Sequence, residues 1–131
     1  MTVNWVEHTG EVELVVEGPS APDVLAEAAD AIASLLVDHL QGTPSEREIE
    51  ISASDRPALL VAWLDELVYL AETDGFAPER VVEISCSERS AKATIEGRIG
   101  RPTYLIKAVT YHHLAFEPCG DRWKGRVVLD V

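Results

Sequence analysis

The chain has 131 residues, 47% of them hydrophobic, and its 23 acidic and 11 basic side chains give a formal charge of −12. That length suits one domain with a real core. The charge either aids solubility or draws cations and basic protein surfaces; it repels a phosphate backbone, so direct nucleic-acid binding over a broad face is not expected.

Cys86 and Cys119 lie far apart, with no second cysteine at metal-binding spacing. This suits reduced thiols in a cytoplasm and argues against a zinc knuckle or a disulfide framework. The start of the chain has no basic segment followed by an apolar one, and no apolar run reaches membrane-spanning length, so a cytoplasmic location without membrane association is expected.

Residues 3–6 read as a short strand and His8-Thr9-Gly10-Glu11 as a turn. The next strand, 12–17, alternates: Val12, Leu14 and Val16 form the core face, and Glu11, Glu13, Val15 and Glu17 the other. After Gly18-Pro19, Ser20 is a helix cap, with Pro22 in the first turn and Asp23 at capping-box spacing. Leu25, Ala28, Ala29, Ile32, Leu35 and Leu36 recur at helical spacing, which carries the helix to about Val37.

Residues 41–45, with Gly42 and Pro44, read as a loop, and 48–53 as a strand. Ser54 or Asp55 caps a second helix with Pro57 in its first turn. Leu60, Trp63, Leu64, Leu67 and Ala71 are its buried stripe, Asp65, Glu66 and Glu72 mostly face water, and Gly75 stops it. Trp63 reads as core rather than as a platform for a ligand.

Strands follow at 80–87 and 91–95, then a loop at 98–104, then strands at 106–111 and 114–117. Residues 118–121 turn the chain into a terminal strand, 123–131. In it Trp123, Val127, Leu129 and Val131 share one parity, and Lys124, Arg126, Val128 and Asp130 the other. The expected fold class is α+β: a single domain, 1–131, with two helices packed on mainly antiparallel sheet.

The terminal strand has two readings. It simply completes a sheet, or it holds the Val131 α-carboxylate beside the Asp130 side chain as half of a hard-cation site. No Gly-rich phosphate loop, nucleophile elbow or paired-His metal helix is present. Thr110, Tyr111, His112 and His113 are the nearest approach to a nucleophile with a base, and they read better as a strand-end cluster that hydrogen-bonds a turn. The densest donors are carboxylates, which favours calcium or magnesium over zinc.

Four segments together resemble the archease family: His8-Thr9-Gly10-Glu11-Val12, Ala62-Trp63-Leu64-Asp65-Glu66-Leu67-Val68-Tyr69-Leu70, Lys107-Ala108-Val109-Thr110-Tyr111-His112, and Arg126-Val127-Val128-Leu129-Asp130-Val131. The resemblance runs in order along essentially the whole chain. It implies a small, non-enzymatic α+β protein that assists a GTP-dependent RNA ligase in tRNA splicing and RNA repair, by promoting guanylylation of the ligase's active-site histidine and its repeated turnover.

It also implies calcium bound by Glu11, Asp130 and Val131, with Lys107 and His112 in the same functional cluster. This chain departs from the family where Glu11 stands for Asp, Gly10 for Ala and His113 for Gly, and where the 98–104 loop is shorter. Two other functions are alternatives: a metal-dependent phosphoester hydrolase that uses the same carboxylates with His112 as base, or a general chaperone-like adaptor with no ligase role.

Overall fold

The computed structural model describes residues 2–8, 10–102 and 106–131. Among these the chain forms β1 (Thr2–His8), β2 (Glu11–Gly18), α1 (Ala21–Leu36), β3 (Val37–Ser52), α2 (Arg56–Asp74), β4 (Phe76–Cys86), β5 (Ser90–Pro102), β6 (Ala108–Cys119) and β7 (Arg122–Asp130). The expected α+β class holds. The strands make two antiparallel sheets, one of four strands in the order β1-β2-β7-β6 and one of three in the order β3-β5-β4.

Both helices contact both sheets, and a single apolar core takes residues from all four. α1 begins where the Ser20 hydroxyl meets the Asp23 carboxylate at 2.6 Å and accepts the Asp23 N–H at 3.4 Å. α2 begins at Asp55, whose carboxylate accepts the Ala58 N–H at 2.8 Å. Gly75 closes α2 in the left-handed region, at φ 69°. Leu60, Trp63, Leu64, Leu67 and Ala71 are all buried, as the helical spacing requires. The Trp63 indole N–H donates to the Leu25 carbonyl at 2.8 Å, so α2 is hydrogen-bonded directly to α1 through the core. No helix among the described residues is long and apolar enough to cross a membrane.

Three sequence expectations need correction. Residues 41–45 are not a loop but part of β3, which runs unbroken in name through a register shift between Asp38 and Thr43. Pro44 is tolerated there because β3 is an edge strand, where a missing N–H need not break a ladder. Residues 98–102 are not a loop either: β5 continues to Pro102, while Thr103 and Tyr104 lie outside the described residues. Gly97, just before that extension, lies against the Ala77 carbonyl and the Phe76 ring, where a side chain would collide. The strands expected at 106–111 and 114–117 are one strand, β6, interrupted by a bulge between Thr110 and Ala115.

The four-stranded sheet has one face on the core and one face that no helix covers. Val12, Leu14 and Val16 of β2, and Val127 and Leu129 of β7, point inward. Glu11, Glu13, Val15 and Glu17 point outward, opposite Asp130, Val128, Arg126 and Lys124 of β7. β7 lies between β2 and β6, so the last strand of the chain is interior to its sheet.

Candidate functional site

β1 and β2 pair as a hairpin closed by His8 and Glu11, with Gly10 just before β2. Gly10 takes φ 74°, a left-handed conformation that glycine adopts without steric cost; Thr9 lies outside the described residues. The turn delivers Glu11 directly opposite Asp130 on β7. Facing residues of an antiparallel pair project to the same side with their Cβ atoms about 5 Å apart. Two carboxylates thus leave the uncovered face as neighbours.

Asp130 is also the register partner of Ala108 on β6, so it stands between two strands. Its carbonyl accepts the Lys107 N–H at 2.7 Å. The N–H of Val131 donates to the Gly10 carbonyl at 3.1 Å, and the Val131 side chain packs on the core. Residues 130 and 131 are therefore fixed beside the Gly10 turn, by backbone bonds on one side and apolar burial on the other.

His112 completes this corner from the β6 bulge. Its Nδ1 is 3.9 Å from the Glu11 carboxylate. The structure thus brings Glu11, Asp130, Val131, the Lys107 backbone and His112 to one end of one sheet. The Lys107 side chain itself is exposed.

The bulge sets the position of His112. The Thr110 hydroxyl donates to the Val128 carbonyl at 2.9 Å and accepts the His112 N–H at 3.3 Å. Thr110 is thereby occupied in fastening the bulge to β7; the expected strand-end cluster lies instead inside one continuous strand. His113 has φ 53°, the only positive value for a non-glycine among the described residues. The family's glycine at this position, implied by the resemblance, would adopt that conformation without strain.

A second cluster borders the first, and sequence reasoning missed it. The Glu13 carboxylate lies 3.6 Å from His113 Nδ1 and 3.7 Å from Arg126 Nε, and Arg126 Nε donates to the His113 carbonyl at 2.9 Å. The signal was present in the outward parity of β2 and β7, which puts an acidic row beside Arg126 and Lys124. What was not visible was the bulge that brings His113 over that row.

Glu11 and Asp130 offer the oxygen donors that a hard cation takes. Among the described residues no three or more His, Cys, Asp or Glu side chains form a metal-holding group. Calcium takes about six to eight oxygens, so these two side chains fit it in part and leave most of the shell to other donors.

The chain matches the model of the Archease protein family over residues 4–131. Among curated relatives, the protein archease of Methanosarcina acetivorans is 36% identical, with 97% of this chain and 94% of the relative covered. The archease of Methanosarcina mazei is 33% identical at the same coverage, 97% and 94%. A solution structure from Methanobacterium thermoautotrophicum superposes with a TM-score of 0.71 at 25% identity, covering 98% of both chains. The crystal structure of a Thermotoga maritima protein, described as an archease and possible chaperone, gives a TM-score of 0.67 at 27% identity, covering 96% of this chain and 94% of that one. With the family model matched along nearly its full length and relatives above 30% identity end to end, this chain belongs to the archease family.

Proposed function

We propose that the chain activates a GTP-dependent RNA ligase, promoting guanylylation of the ligase's active-site histidine and its repeated turnover in tRNA splicing and RNA repair. Membership of the archease family supports this reading. One structural observation carries it: Glu11 and Asp130 face each other at the end of the sheet where Val131 is tied to the Gly10 turn. The working part is a rigid acidic corner rather than a catalytic constellation, which suits a protein that acts on another protein.

Glu11, Asp130 and Val131 are the residues that would hold calcium. When bound, calcium supplies positive charge to this corner and open coordination positions for oxygen atoms of a partner. The chain's own residues do the rest. The two carboxylates present anionic oxygens to a basic surface, and the formal charge of −12 speeds encounter with it. His112, beside Glu11, is available to orient that carboxylate, and the exposed Lys107 amine is available to a phosphate or carboxylate of the partner.

The test uses the cognate ligase. The purified protein is added well below the ligase concentration, and guanylate transfer to the ligase is followed with calcium and with chelator. The expected result is a faster transfer rate, with each molecule of activator serving several ligase molecules, and a dependence on calcium. A rate unchanged by the protein would overturn the reading.

A further inference from the structure

The β6 bulge does more than carry His112. Thr110 faces Val128 and Ala115 faces Arg126, so residues 111–114 stand opposite Val127 alone. Such an insertion re-aims a side chain. Its first residue is Tyr111, 66% exposed and more so than any other large hydrophobic side chain among the described residues. No hydrogen bond or ring contact involves Tyr111 among the described residues.

The bulge is fastened on both flanks. Thr110 bonds across to Val128 and back to His112, Arg126 holds the His113 carbonyl, and the His113 ring lies beside Glu13. His113 is also held in a backbone conformation that a non-glycine residue adopts at a cost. An exposed aromatic on a rigid, strained support loses little freedom when it is buried by a partner, and tyrosine is among the residues that most often anchor protein interfaces.

The geometry points to Tyr111 as the anchor through which this corner docks on the RNA ligase, inserting its ring into a cleft whose rim is basic. The inference rests on the proposed function. Charge identifies the occupant. Tyr111 adjoins His112 in the chain, His112 sits beside Glu11, and Glu11 faces Asp130, so the bulge that carries the ring also borders the two facing carboxylates of a chain with net charge −12. A ligase that binds RNA and GTP must be basic around its reactive centre. The carboxylates meet the basic rim and the ring fills the cleft.

The experiment measures binding of the full chain to the cognate ligase, together with the amount of protein that gives half-maximal guanylylation. Wild type, Tyr111→Ala, Tyr111→Phe and Tyr69→Ala are compared. Tyr69, on α2, is a matched control at 58% exposure. Tyr111→Ala is expected to weaken binding and raise the half-maximal amount 10- to 100-fold while melting at the wild-type temperature; Tyr111→Phe keeps most of the affinity, and Tyr69→Ala binds as wild type. Wild-type acceleration with undiminished binding by Tyr111→Ala overturns the anchor and leaves the proposed function standing. A wild-type chain that neither binds nor accelerates the ligase overturns both. If Tyr111→Ala instead weakens self-association measured by sedimentation, the occupant is a second copy and the ligase assignment is overturned.

Discussion

Replacing Glu11 by Gln should stabilise the chain in the absence of calcium. Glu11 and Asp130 are facing partners on adjacent strands, both partly exposed. Two unit charges about 5 Å apart in a water-like dielectric repel by about 0.8 kcal/mol, less in salt. Opposite-charge cross-strand pairs contribute about 0.2–1 kcal/mol, and like charges directly opposite are destabilising. Removing one charge recovers that repulsion, and the 3.9 Å contact with His112 offsets only part of it, because exposed ion pairs contribute little.

At the scale of about 4 °C per kcal/mol for a domain of this size, Glu11→Gln should melt about 1–4 °C above wild type in chelator at low salt. With the proposed calcium site, calcium should reverse the order. A ligand at 100 times its dissociation constant stabilises by about 2.7 kcal/mol, a shift on the order of 10 °C, and Glu11→Gln should lose most of it. Thermal melts of both proteins, in chelator and in calcium, read out both effects. A Glu11→Gln protein that melts below wild type in chelator, or that keeps the full calcium shift, would refute the reasoning.

Three further outcomes follow from the packing. His113 sits at φ 53°, so His113→Gly should be more stable than His113→Ala by about 1 kcal/mol in urea unfolding, the reverse of the usual order in a strand. A Cβ on Gly97 would lie 2.1 Å from the Ala77 carbonyl oxygen and 2.7 Å from the Phe76 ring, so Gly97→Ala should cost about 3 kcal/mol or more by the same measurement. Partial burial pushes the Asp65 carboxyl above its ordinary value, so the folded state disfavours its charge. Asp65→Asn should therefore raise stability at neutral pH, and that gain should shrink as pH falls through the raised titration range and vanish below the ordinary one.

The helices and the last strand were legible in the sequence because each carries redundant local signals. Ser20 with Asp23, and Asp55 with Pro57, mark the starts of α1 and α2, and the apolar stripe of α2 is buried residue by residue. Two of the errors share one cause. Gly42, Pro44, Gly100 and Pro102 were weighed as chain breakers, yet they lie in long strands of one sheet. An edge position excuses Pro44, and close backbone contact explains Gly97, but both are facts of tertiary packing that no local pattern records.

The site divides in the same way. Parity put Glu11 and Asp130 on the outward faces of β2 and β7, but only the register makes them neighbours, and the association of Glu11 with the chain's end came from family likeness. Parity was misleading at Val128, which is outward-facing yet buried. The bulge at 111–114, invisible as a pattern, reads in sequence as a gap between two strands. It is also what carries His112 to the end of the sheet where Glu11 faces Asp130.

The most direct measurement is the initial rate of guanylate transfer to the cognate ligase with a sub-stoichiometric amount of the wild-type chain or of Asp130→Asn, in calcium. Asp130 makes its strand contacts through its backbone, so the substitution removes one charge and leaves the sheet intact. Wild type should accelerate transfer and Asp130→Asn should lose at least tenfold of that acceleration at an unchanged fold. Equal acceleration by the two proteins would contradict the acidic corner as the working part.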